Sequence, residues 1–156
     1  MARNRRAFEN AMQAGASAAW DRDWPGAIAA YTRALEEMPD DVGALSNLGL
    51  AYANAGQLEQ ALQAYQRARQ IDPEDPQIPE RLGQAYEKMG KKQEASQAYA
   101  AAAECYAQQK SIQVALQRWM TAVKIWPDNL QAHARLLQYY EANGEIDKAV
   151  EECKAL

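Results

Sequence analysis

One histidine, His133, and two cysteines, Cys105 and Cys153, occur among the 156 residues, so the side chains that most often act as base, nucleophile or soft metal ligand are scarce. No second histidine exists to share a metal with His133. The cysteines stand far apart in helical context with no CxxC spacing, and they read as unbridged small hydrophobes. Carboxylates are plentiful, but clusters such as Glu36, Glu37, Asp40 and Asp41 sit at turns and helix surfaces, where water solvates them. There is no glycine-rich phosphate loop and no nucleophile with a base beside it. The residues therefore point away from catalysis: no enzyme, no metal site and no cofactor is expected.

Charge and composition narrow the remaining classes. With 17 Lys and Arg against 21 Asp and Glu, the net charge is −4, which argues against a nucleic-acid partner held on a broad basic surface. Arg3, Arg5 and Arg6 read as a solvated helix start. A hydrophobic share of 48% with 24% charged residues suits a globular domain with a real core. No apolar run approaches the roughly 18 residues of a membrane span, and MARNRRAFEN lacks the apolar stretch of a secretory signal. A cytoplasmic protein without membrane insertion is expected.

The elements that position these side chains are helices. Ala, Gln, Glu, Leu and Arg dominate and sustained alternation is missing, which predicts about nine helices joined by short turns. In DWPGA, Asp23 can cap a helix whose first turn holds Pro25. Turn tripeptides MPD, IDP and WPD set a rhythm: Pro39 and Pro73 are 34 residues apart, but Pro73 and Pro127 are 54 apart, 14 short of two more periods. Where the missing proline would fall, AYAAAAECYAQQK continues as helix through Ala107.

Leu48, Gly49, Tyr52, Ala61, Tyr65, Ala68 and Pro73 fit the W-x2-L-G-x2-Y…A-x3-F…P pattern of a 34-residue helix-turn-helix unit. On these residues the chain resembles the tetratricopeptide repeat family. The first unit, 8–41, keeps Gly15, Ala27, Tyr31, Ala34 and Pro39; the third, 76–109, keeps Leu82, Gly83, Tyr86, Gly90, Ala95, Tyr99 and Ala102. A fourth, 96–129, overlaps the third, and the last, 130–156, keeps Leu136, Tyr140, Gly144 and Ala149. The expected fold is all-α: antiparallel helix pairs stacked as a solenoid within a single domain, 1–156. Small Gly49, Gly83, Ala61 and Ala95 let helices approach, while Tyr52, Tyr65, Tyr86 and Tyr99 fill the space beside them. Ala102, Ala103 and Tyr106 are spaced like a first helix although they continue a second-helix pattern, so one continuous helix near 93–109 is expected to serve two repeats. Because losing one helix reverses the direction of every later helix, the block 93–156 is expected to stand at an angle to repeats 8–109. In the last helix, Ile146, Ala149, Val150 and Cys153 form the apolar face, and the polar opposite face is expected to cap the stack. His133 falls where the family places a large core residue, which implies a packed imidazole.

Relatives of this type hold peptides or partner helices on the first helices of their pairs. The corresponding positions are Met12, Gln13, Ala16 and Trp20, then Ser46, Asn47, Leu50 and Asn54, then Glu80, Arg81, Gln84 and Glu87. The resemblance thus implies a protein-interaction scaffold with an apolar end at Met12, Trp20 and Leu50 and a charged end at Glu80 and Arg81. Trp20 either anchors a ligand or packs on Trp24 across the turn. Only Asn47 and Arg81 match the basic and amide clamp with which some relatives bind a terminal carboxylate. The alternative function is a helical regulatory or adaptor segment of a larger protein; self-association through terminal helices is compatible with both.

Overall fold

The computed structural model describes residues 4–155, and Arg3 of the basic start lies outside them. Nine helices and no strand occur among the described residues: α1 (Arg5–Trp20), α2 (Trp24–Glu37), α3 (Val42–Asn54), α4 (Leu58–Ile71), α5 (Gln77–Lys88), α6 (Lys92–Gln108), α7 (Ile112–Ile125), α8 (Leu130–Ala142) and α9 (Ile146–Ala155). Side-chain oxygens of Asn4, Asp23, Asp41 and Asn129 accept hydrogen bonds from amides of the first turns they precede, which sets the starts of α1, α2, α3 and α8. Pro25 occupies the first turn of α2, where its missing N–H costs nothing. The chain divides into two compact units, Met1–Pro73 and Glu74–Leu156.

In the first unit, α1 packs on α2, α2 on α3 and α3 on α4. Close approach is possible because Gly15 faces the ring of Tyr31 and Gly49 the ring of Tyr65: a methyl group on Gly49 would stand 2.5 Å from Tyr65 Cε1. Tyr31 and Tyr65 are buried, while Tyr52 is only half-buried against the core of Ala27, Tyr31, Leu48 and Ala51. The second unit repeats the device with Gly83 under Tyr99, where the methyl would meet Cε2 at 3.0 Å.

Continuity of α6 explains the missing punctuation. First helices of pairs end alike: the residue after the cap has positive φ (Arg22, Gly56, Gly90 and Gly144), and the next amide bonds five residues back, as from Gln57 to the Tyr52 carbonyl and from Lys91 to that of Tyr86. Second helices α2, α4 and α7 end instead on caps with strongly negative φ: Met38 at −132°, Asp72 at −126° and Trp126 at −136°. Helix α6 starts after Gly90 as a second helix but finishes as a first, with Lys110 at φ 61° and the Ser111 amide on the Tyr106 carbonyl. It packs on α5 on one side and α7 on the other. Ala103 takes the glycine's place there, with Trp119 for the tyrosine, and both are buried in the core of Leu116, Leu136 and Tyr140. Fully buried Ser96 secures the same helix: its hydroxyl donates to the Ala122 carbonyl at 2.7 Å and accepts from Asn129 Nδ2 at 2.8 Å.

Helix α9 departs from expectation. Ala149 is buried, but Ile146 is 64% and Val150 44% exposed, and Cys153 is exposed rather than packed. Two polar contacts fix this rotation. The Glu152 carboxylate pairs with buried His133, and Lys148 stands over the Tyr140 ring at 5.3 Å from its centroid. The apolar stripe Ile146, Val150 and Cys153 is thereby turned outward.

Two substitutions probe this architecture. Gly49→Ala should cost about 1–3 kcal/mol and Gly83→Ala less, because the first must displace a buried ring further; urea melts of both variants measure the order. Lys110→Gly should stabilise by about 0.5–1 kcal/mol, since it removes the strain of a side chain in the left-handed region. An unchanged or lowered melting temperature for Lys110→Gly would contradict the shared-helix ending.

Candidate functional site

The expected binding positions of the first unit lie on α1 and α3, both of which pack on α2. Met12 is half-buried and rests on the core, while Gln13 and Ala16 face solvent. Trp20, the last residue of α1, is 89% exposed, so Trp24 does not cover it. On α3, Ser46 and Asn47 are half-buried, Leu50 is 40% exposed, and exposed Asn54 donates through Nδ2 to the Leu50 carbonyl at 2.9 Å. An indole this exposed is a hydrophobic contact without an internal use.

In the second unit α5 carries Glu80, Arg81, Gln84 and Glu87. Glu80 is committed internally. Its Oε1 pairs with Arg118 Nη2 of α7 at 2.7 Å and its Oε2 accepts from the Tyr106 hydroxyl of α6 at 3.0 Å, which ties three helices through one carboxylate. Glu87 accepts from the Tyr99 hydroxyl at 3.4 Å. Burial first, then the Glu87 charge, pushes the Tyr99 phenol up to about 12, so it stays a neutral donor. Arg81 is half-buried and Gln84 exposed. Arg118 escaped sequence reasoning because the repeat pattern marks no second-helix residue that reaches the preceding pair; only the shared helix brings α7 within reach of Glu80. Tyr106 carried a signal, its first-helix spacing.

His133 is buried as a core position requires. Its Nδ1 lies 2.5 Å from Glu152 Oε2 and its Nε2 2.8 Å from the Pro127 carbonyl. The Pro127 carbonyl can only accept, so Nε2 donates to it, and Nδ1 faces the Glu152 carboxyl. The imidazole is a tether for α9. No group of three or more His, Cys, Asp or Glu that could hold a metal occurs among the described residues, and none of their helices is long and apolar enough to cross a membrane.

Comparisons with known proteins agree with this architecture. Three tetratricopeptide repeat models match residues 30–63, 51–90 and 80–109, together just over half of the chain. The chain belongs to the tetratricopeptide repeat family. Among solved structures it is similar to PcrH in complex with the chaperone binding region of PopD, at 19% identity and a TM-score of 0.71, over 78% of this chain and 92% of that one. The TPR2B domain of yeast Sti1, in a complex with pHsp70, matches at 24% identity and 0.68, over 76% and 97%. The Sgt2 TPR domain of Aspergillus fumigatus matches at 26% and 0.63, over 79% and 85%. No curated protein sequence matches the chain.

Alkaline titration tests the tyrosine network. Tyr99 and Tyr106 are both raised, chiefly by burial, so the stability they contribute is complete below about pH 10 and lost as the pH rises, for Tyr99 toward about 12. Melting temperatures across that interval should fall, and less steeply in Tyr99→Phe. A parallel fall in both proteins would show that Tyr99 does not carry the effect.

Proposed function

We propose that the chain is a protein-interaction adaptor that binds a peptide or helix of a partner protein on the first helices α1 and α3, with Trp20 as anchor. The single observation that carries this reading is the 89% exposure of Trp20 at the end of α1, in a unit that also leaves Leu50 40% exposed on α3. A large aromatic on a rigid helix loses little entropy when it is covered, which is why such residues dominate binding energies. Gln13, Ala16 and Asn54 add small and amide side chains on the same two helices, which exclude no backbone and offer hydrogen bonds. Relatives in which a similar fold is seen with PopD or pHsp70 segments support the same use of the fold here.

Partner capture from native lysate, with titration of the identified peptide, tests it. Trp20→Ala should weaken binding by about 2 kcal/mol or more while the circular dichroism stays helical, since an exposed side chain contributes little to folding. Equal affinity in the variant would remove Trp20 from the site.

A further inference from the structure

A cleft of about 950 Å³ in the second unit lies between α7 and α9 with α8 as its floor. Both walls are second helices of their pairs, so this is not the first-helix surface on which the proposed function rests. Leu116 and Leu136 lie buried behind the cleft; the apolar surface it offers comes from half-buried Val123 and Tyr139 and from Met120, which is 51% exposed. Methionine adapts its shape to a bound side chain at little cost, which suits a docking position.

Charge around the cleft is more informative than its apolar lining. On the α9 side, Lys148 pairs with Glu145 at 2.5 Å and Glu152 with His133 at 2.5 Å. Arg118 of α7 is taken by Glu80. Two lining charges remain without any hydrogen bond or ion pair among the described residues: Lys124 on α7 and Glu151 on α9. They have opposite sign and stand on opposite walls. Along α7 the lining runs from Gln113 to Lys124, about 16 Å of helix at roughly 1.5 Å per residue, enough to accompany three turns of a second helix.

We propose that this cleft is a second docking site and that its occupant is an amphipathic helix of a partner protein, with an apolar face toward Met120, Val123 and Tyr139, an acidic residue toward Lys124 and a basic residue toward Glu151. Helix-in-groove recognition uses anchors at i, i+3 or i+4 and i+7, which the Met120 and Val123 spacing on α7 receives ridge against groove. The two unpaired charges set the direction of the bound helix, because a reversed helix would bring like charges together.

A phage-displayed library of random twelve-residue peptides, selected on the full 156-residue chain, provides the probe. Enriched peptides should combine large apolar residues at helical spacing with a basic residue on one flank and an acidic residue on the other. A synthetic peptide of that type, measured by fluorescence anisotropy, should lose at least tenfold in affinity for Met120→Asp and at least fivefold for Glu151→Lys. Changing the peptide's basic residue to Glu should restore binding to Glu151→Lys, and circular dichroism verifies that each variant stays folded. Lys124→Glu is the matching variant on the other wall, rescued by a basic residue in place of the peptide's acidic one. Failure to enrich peptides over control phage, or equal binding to Met120→Asp, overturns the proposal. Peptides that are lost instead with Trp20→Ala belong to α1 and α3, which overturns the cleft and leaves the proposed function standing. A dimer in light scattering that dissociates in Met120→Asp identifies a second copy as occupant and overturns the partner helix.

Discussion

A glycine backbone pressed against an aromatic ring is the contact on which three of the helix pairs depend. Gly15 under Tyr31, Gly49 under Tyr65 and Gly83 under Tyr99 each leave no room for a methyl group without movement of the ring. Such proximity lets the ring fill the space between two helix backbones, and dispersion from a buried tyrosine then replaces what a larger first-helix residue would supply. The pair still exposes an apolar flank, so it is stable only with a neighbour. Repetition of one contact thereby specifies a stack.

Helix α6 shows how tolerant that contact is. With Ala103 in place of glycine and Trp119 in place of tyrosine, the same helix that offers Tyr99 to Gly83 also receives the ring of the next helix. Its near all-round burial has the same origin: Ala95, Ala98, Ala100, Ala102 and Ala103 are all buried, and only a helix of small residues can be covered on two sides without forcing its neighbours apart. The shared helix also gives Glu80 internal partners: Arg118 and Tyr106 reach it from α7 and α6, so one carboxylate joins three helices.

Polar contacts of this kind decide which surfaces remain open. Pairing of Glu152 with His133 turns the apolar stripe of α9 outward and makes α9 a wall of the α7 to α9 cleft, whereas Trp20 and Leu50 stay exposed because nothing in their unit covers them. A buried imidazole between a carboxylate and a carbonyl costs desolvation that only its two hydrogen bonds offset, which makes the rotation of α9 specific.

Local chemistry along the chain determined the helices, the glycine and tyrosine positions of three pairs, the cap at Asp23 and the single helix over α6, because each rests on spacing within one period and on conformations that neighbouring residues set among themselves. Family membership was legible for the same reason: Leu48, Gly49, Tyr52, Ala61, Tyr65 and Pro73 record one packing solution. Tertiary structure alone showed the left-handed turn at Lys110 that closes α6, which no glycine announces; the end itself, expected near 109 and found at Gln108, was legible. It also decided the fate of Glu80 and the direction of the α9 stripe, since Arg118 lies 38 positions from Glu80 and Glu152 lies 19 from His133. Charges that meet across such distances leave no periodicity; their pairing depends on how helices lie against each other, and the apolar pattern of α9 taken by itself points the wrong face inward.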